Sequence, residues 1–289
     1  MTPPTSAIRV ATWNIRAAIG PGEPFPPAWW RHVDATRLER IGSIIRGLEA
    51  DVVALQEVSV FTADGLLRDQ PGRLGELTGL EVAYTATHAF ALVRPEDGRV
   101  IGSAMWGNAL LSRAPFDSID AVGLPVGADD DLVEPAGSDR PLAGVRFGDA
   151  EPGVREPRSV IAARLPLGPA SLSVVGTHLT YAGSGQRADQ AAALADLALE
   201  RGEPVLVVGD LNDAIEAPQL ASLAGSFDDA FAAVGVPAGD PRRASCGALR
   251  IDHILSRGLR VVGCRVERSA GDASDHLPVI ADLEVASGT

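Results

Sequence analysis

The strongest constraint on what this chain can fold into is a repeated grammar: a short apolar run stops on a residue that carries chemistry. Ile8 to Trp13 (IRVATW) stops on Asn14, Val52 to Leu55 runs into Gln56 and Glu57, and Leu172 to Gly176 runs into Thr177 and His178. Val205 to Val208 leads to Asp210, Asn212 and Asp213 in VVGDLND, and Arg250 to Leu255 encloses Asp252. Runs of this length, rich in β-branched residues, read as strands. Ala104 to Leu111, Val160 to Leu165, Leu259 to Val266 and Val279 to Val285 read the same way, the last preceded by Asp275 and His276 in ASDHLP. Two stretches switch to the helical period. Leu38, Ile41, Ile44, Ile45 and Leu48 recur at helical spacing behind a capping-box signature of Thr36 and Glu39. An alanine- and leucine-rich segment from Gln186 to Glu200 stops at Gly202.

Size and charge narrow the setting. With 289 residues, 46% of them hydrophobic, the chain can bury a large core. No linker divides it and no repeat of fixed period runs through it, so one domain over 1–289 is expected, with a core from about 8 to 285. The segment GPGEPFPPAWW is too punctuated for regular structure, and the polar stretch from Val126 to Pro141 reads as a surface loop. The first residues have no basic segment followed by an apolar one, and no apolar run reaches the roughly 20 residues that span a bilayer. A soluble, cytoplasmic monomer is the expectation. Cys246 and Cys264 are too few for a disulfide scaffold and lack paired metal-ligand spacing, although one bridge between them stays open. The 25 basic residues, all arginine, face 38 acidic ones, and the net charge of -13 works against non-specific attraction to nucleic acid or to an anionic membrane.

Strand ends are where a rigid sheet can aim side chains into a shared cleft. If these ends share one edge, they assemble carboxylates, amides and two imidazoles around one point. That inventory suits hydrolysis of a phosphate ester. A hard cation to polarise phosphoryl oxygens prefers oxygen ligands such as Glu57, Asp275 and the Asn14 amide. A histidine oriented by a carboxylate can take a proton from water, and Asp252 is the natural partner for His276. Developing charge calls for donors such as the Asn212 amide and a second imidazole, His178. Taken singly, each residue has an ordinary explanation. Asn14, Asp210, Asn212 and Asp213 are common turn residues, Glu57 can be a solvated strand end, and His178 a satisfied interior histidine. Asp252 is harder to dismiss, because an acid inside an apolar strand must find a partner. His253, next to it on a strand, points to the other face and reads as packing, and His32 and His88 read as structural.

The motifs TWNI, LQEV, GNALLSR, GTHL, VVGDLND, RIDHIL and SDHLPV together resemble the endonuclease/exonuclease/phosphatase superfamily, in its order and at about its intervals. That superfamily includes pancreatic deoxyribonuclease, abasic-site endonucleases, bacterial sphingomyelinases and inositol polyphosphate phosphatases. One such motif is weak and seven in order are strong. The resemblance, covering Ile8 to about Val285, implies an α+β fold: a four-layer αββα sandwich, two packed mixed β-sheets flanked by helices. It implies Mg2+ as cofactor, with Mn2+ or Ca2+ as alternatives. Asn14 and Glu57 match the first two active-site positions, with Glu57 the principal metal ligand. His178 matches the histidine of the deoxyribonuclease and sphingomyelinase branches, and Asp210 and Asn212 match the pair that orients water and holds the scissile phosphate. Asp252 matches the acid supporting the catalytic histidine, His276 that histidine, and Asp275 the acid near the metal.

Substrate-facing candidates are Trp30 and Arg31, in the loop after Asn14 with Trp29, and Arg158, which matches a phosphate-binding arginine of deoxyribonucleases. Packing explains the tryptophans equally well. Asn108 and Arg113 of GNALLSR are expected to support the site from a strand, and Arg187 with Gln190 to brace the loop near His178. The expected activity is Mg2+-dependent hydrolysis of a small or lipid-derived phosphoester. The alternative is a nuclease with the same machinery, which the net charge and the acidic stretch Asp129 to Asp131 disfavour. A binding module with a dead site would have lost catalytic positions, and none is lost.

Overall fold

The computed structural model describes residues 7–22, 28–126, 139–141, 157–168, 170–181 and 184–285. The elements run β1 (Ala7–Asn14), α1 (Ala35–Leu48), β2 (Val52–Ala63), β3 (Leu66–Asp69), α2 (Gln70–Thr78), β4 (Glu81–Val93), β5 (Val100–Ser112), β6 (Ser118–Gly123) and β7 (Asp139–Pro141). They continue with β8 (Ser159–Leu167), β9 (Ala170–His178), α3 (Ser184–Glu200), β10 (Val205–Asp210), α4 (Ala221–Ser226), β11 (Asp228–Asp229), α5 (Ala230–Ala233), β12 (Asp252–Arg257), β13 (Leu259–Val266) and β14 (Val279–Val285).

The strands build two sheets. One runs β13-β14-β1-β2-β5-β4-β7 with β3 on β2, and the other runs β11-β12-β10-β9-β8-β6. Each sheet contains one parallel pair, β1 with β2 and β9 with β10, and its other pairs are antiparallel. A parallel pair needs a crossover, which α1 supplies in the first sheet and α3 in the second. Val10, Val52 and Leu110 of the first sheet meet Ile161, Val174 and Leu206 of the second in the central core. Leu38, Ile41 and Ile45 of α1 pack on the outer face of the first sheet against Trp13, Val53 and Leu55. Leu194 and Ala198 of α3 do the same on the second, against Val175 and Val207. The result is a four-layer αββα sandwich.

Local details depart from the sequence reading. The N-cap of α1 is Asp34, whose carboxylate accepts from the Thr36 backbone N–H at 2.8 Å, so Thr36 and Glu39 form no capping box. β2 continues well past Leu55 through a bulge between Leu55 and Val58. β3, α2, β4 and β6 have no counterpart in the expected elements. The stretch from Val126 to Pro141, including Asp129 to Asp131, lies outside the described residues except for Val126 and β7, which pairs with β4 rather than forming loop. Both cysteines are free. Among the described residues no helix is long and apolar enough to cross a membrane.

Candidate active site

Period-two alternation carries the central core into a polar patch at one end of the sandwich. On β1, Ile8 and Val10 face the other sheet, which sets Asn14 on the same side. On β9, Leu172 and Val174 do so, and His178 follows; on β10, Leu206 and Val208 lead to Asp210. On β12, Ile254 faces inward, and so Asp252, two residues earlier, does too. Asn14, His178 and Asp210 therefore continue the inward face beyond the core residues of their strands, and Asp252 precedes them on its own strand. Glu57 reaches the patch differently. It is the extra residue of the β2 bulge, with φ at +56°, which lets Leu55 and Val58 both stay on the helix side. A non-glycine residue in the left-handed region is held there by its surroundings, and such strain gathers at functional sites. Asn212 at +55° and the Arg16–Ala18 turn at +46° to +59° are in the same region.

Asn14, 1% exposed, joins the sheets. Its Nδ2 donates to Glu57 Oε1 at 2.9 Å and to Asp210 Oδ2 at 3.1 Å, while its Oδ1 accepts from the Arg16 N–H at 3.0 Å. His276 Nδ1 donates to Asp252 Oδ2 at 2.8 Å, and the Ser245 hydroxyl donates to the same oxygen at 2.6 Å. The loop carrying Asp275 and His276 is pinned to β1 twice. Ser274 Oγ donates to the Asn14 carbonyl at 2.8 Å, and the Trp13 indole N–H donates to the His276 carbonyl at 2.9 Å. Asp275 faces Arg16, with Oδ2 at 3.4 Å from Nε. On the other side, Asn212 Nδ2 donates to the Leu179 carbonyl at 2.8 Å and lies 3.0 Å from His178 Nε2. With the amide N–H as donor, Nε2 is the bare nitrogen of that ring.

The electrostatics separate the two imidazoles. Burial pushes His178 well below its ordinary value, and Arg158, His276 and His88 push the same way, so it is neutral. Burial also opposes charge on His276, but Asp252 outweighs it and raises the ring well above the ordinary value. Burial lifts Glu57 to about 7, with Asp275 and Asp210 adding and the Asn14 amide opposing. Asp210 rises to about 6 through burial and the nearby Asp252. Carboxyls crowded until they resist ionisation are a donor set for a cation. Glu57 and Asp275 could offer hard oxygens to a divalent cation. Asn14 fits that role less well than expected, because it turns its NH2 towards the carboxylates and spends its oxygen on Arg16. A second group that can hold an ion is Asp210, Asp252 and His276, whose donor atoms lie within 4.8 Å of one another.

The remaining candidates divide. Arg158, 7% exposed, is close enough to His178 and His88 to depress both, His88 to about 3, where burial is the larger cause. Asn108 Nδ2 donates to the Ser159 carbonyl at 3.0 Å, tying β5 to β8 beside Arg158. Trp30, 6% exposed, packs with Trp29, Phe61, Phe90 and Trp106 in an aromatic cluster, and Arg31 forks onto the Glu96 carboxylate at 2.6 and 2.9 Å. Trp30 is thus taken up by packing and Arg31 by an ion pair at the surface. Arg113 lies at the start of β2, beside Asp51 and the Ala50 carbonyl, far along the strand from Glu57. Arg187 and Gln190 do hold the loop after His178. The guanidinium donates to the Thr180 and Tyr181 carbonyls, and Gln190 Oε1 accepts from the Thr180 N–H at 2.9 Å. His253 lies on the outward face of β12, 2% exposed. The sequence reading passed over Arg16 and Ser245 and took His88 as structural, and the serine before Asp275 carried a signal only as a turn residue.

Residues 11–276 match the model of the Endonuclease/Exonuclease/phosphatase family. No protein with a curated description matches the sequence. Among solved structures, the chain is similar to an endonuclease/exonuclease/phosphatase from Beutenbergia cavernae, at 26% identity and TM-score 0.69 over 96% of this chain and 72% of that one. The human Nocturnin catalytic domain with bound sulfate has a similar fold, at 16% identity and TM-score 0.60 over 99% and 97% of the two chains. So does TDP2 from Caenorhabditis elegans, at 17% identity and TM-score 0.59 over 96% and 75%.

Proposed function

Because the chain belongs to the endonuclease/exonuclease/phosphatase family, we propose that it is a Mg2+-dependent phosphoester hydrolase acting on a small or lipid-derived substrate. The observation that carries this reading is the Asn14 amide, which draws Glu57 of one sheet and Asp210 of the other onto one point beside the Asp252–His276 pair. Bound Mg2+, with Mn2+ or Ca2+ as alternatives, supplies polarisation of a phosphoryl oxygen and offsets the crowded negative charge; Glu57 and Asp275 hold it. The protein's own groups divide the proton work. His276, charged through Asp252, donates to the phosphate or its leaving oxygen, whereas the sequence reading gave it the base role. Asp210, with its raised affinity for a proton, is the basic oxygen that receives one from water. Asn212 and neutral His178 fix the far side of the phosphate, and Arg158 adds a charge to hold it.

The test is a hydrolysis panel with and without EDTA: a bis-aryl phosphodiester, an aryl phosphomonoester, plasmid DNA, RNA and phospholipids. EDTA-sensitive turnover of the small esters or phospholipids is expected. Rapid plasmid nicking at physiological salt overturns the small-substrate reading in favour of a nuclease.

A further inference from the structure

Behind the site, on the outward face of the second sheet, three charged or polar side chains are buried together: His253 and Arg243, each 2% exposed, and Asp229, 8% exposed. Arg243 donates to Asp229 Oδ1 at 2.7 Å and lies over the Phe231 ring at 5.4 Å, with Glu216 at 3.2 Å. Asp229 Oδ2 is 3.6 Å from His253 Nδ1. The other ring nitrogen, Nε2, lies 2.8 Å from the Asp213 carbonyl, which can only accept, so the imidazole donates there. Burying such a group is costly unless its hydrogen bonds do something specific.

The imidazole thus holds the peptide that follows Asp213, one residue past the left-handed Asn212. Asn212, at φ +55°, precedes Asp213, and its amide N–H donates to Asp210 Oδ1 at 3.0 Å while its side chain contacts His178. Asp213 is clamped from the front as well, since Arg187 reaches its carboxylate at 2.7 Å and with the same guanidinium holds the loop after His178. A left-handed asparagine persists only when its neighbours over-determine it. We propose that His253, backed by Asp229 and Arg243, is a positioning residue that holds the Asp213–Ala214 peptide, one residue past the left-handed Asn212, and thereby sets Asn212 against His178. This rests on the phosphoesterase reading for its kinetic consequence, but not for its structural one.

The experiment uses the full chain with His253→Leu, which removes the donor, and His253→Gln, whose amide can still donate. In His253→Leu, hydrogen exchange at the Asn212 and Ala214 amides is expected to quicken by about tenfold or more while Val207 is unchanged. On the bis-aryl phosphodiester, kcat is expected to fall by about tenfold with KM within about twofold, and His253→Gln to recover most of both effects. Unchanged exchange at Asn212, or a loss spread evenly over β10 and β12 that His253→Gln does not recover, overturns the proposal. A wild-type protein that hydrolyses nothing in the panel defeats the phosphoesterase reading alone, and the exchange data still decide the positioning. If His253→Leu does not fold, His253→Asn, whose shorter amide stops short of the carbonyl, is read in its place.

Discussion

Asn14 shows how one neutral amide can do what a charge cannot. It donates to two carboxylates that would otherwise repel, without cancelling the field that a cation needs. Around it, Glu57→Ala and His276→Ala are each expected to lower turnover by on the order of a hundredfold or more with an unchanged circular dichroism spectrum. Unaltered rates in both variants would mean that the chemistry is elsewhere. His88 gives a prediction of a different kind. Burial and Arg158 depress its pKa to about 3, so between pH 6.5 and 3 the unfolded chain binds a proton that the folded one refuses. Its neutral form contributes stability above pH 6.5 that is lost as the pH falls towards 3. Relative to wild type, His88→Phe should therefore gain in Tm steadily below pH 6.5, and a pH-independent difference would rule this out. These residues differ in legibility. Asn14, Glu57, His178, Asp210 and Asn212 stand where a β-branched run stops, Asp252 stands inside one and Asp275 and His276 just before one, breaks that sequence displays. His88, Arg16 and Ser245 reach the same place through Arg158 far along the chain, through a left-handed turn, or through a side chain seven residues away, and no local pattern encodes those.

At the scale of elements, each sheet uses its parallel pair to deliver the site. β1 and β2 bring Asn14 and Glu57, β9 and β10 bring His178 and Asp210, and the helix of each crossover covers the outer face. The two crossover helices were the legible ones. Leu38, Ile41, Ile45 and Leu48 of α1 are all buried, as their spacing requires. Its start was misread because the cap lies two residues earlier. Asp34→Ala should cost about 1 kcal/mol in denaturant unfolding, and Thr36→Ala clearly less; the reverse order would restore the capping box. α2 (QPGRLGELT) carries two glycines and one buried leucine, too thin a stripe to announce a helix. β4 (EVAYTATHAFALV) mixes small and polar residues and is bent by a bulge between Ala86 and His88, so its alternation breaks halfway. The length of β2 was hidden for the same reason, since the residue that interrupts its pattern is Glu57.

At the scale of the whole molecule, the chain's path matters more than any one contact. It lays down most of the first sheet, crosses to build the second, and returns with β13 and β14, of which β14 pairs with β1 through the register Ala7 to Glu284 and Thr12 to Val279. A chain ending at Arg257 lacks both returning strands and leaves Trp13 and Ile15 without the loop that covers them. It is expected to lose the cooperative unfolding transition of the full chain, by calorimetry, and a sharp transition near the wild-type Tm would show that the return is dispensable. The same path has a consequence during synthesis. β1 leaves the ribosome well before β14, so one of its edges stays open until β14 emerges, as does the pocket that receives the Asp275–His276 loop. For that interval the nascent chain carries an unpaired strand edge that a chaperone is suited to shield.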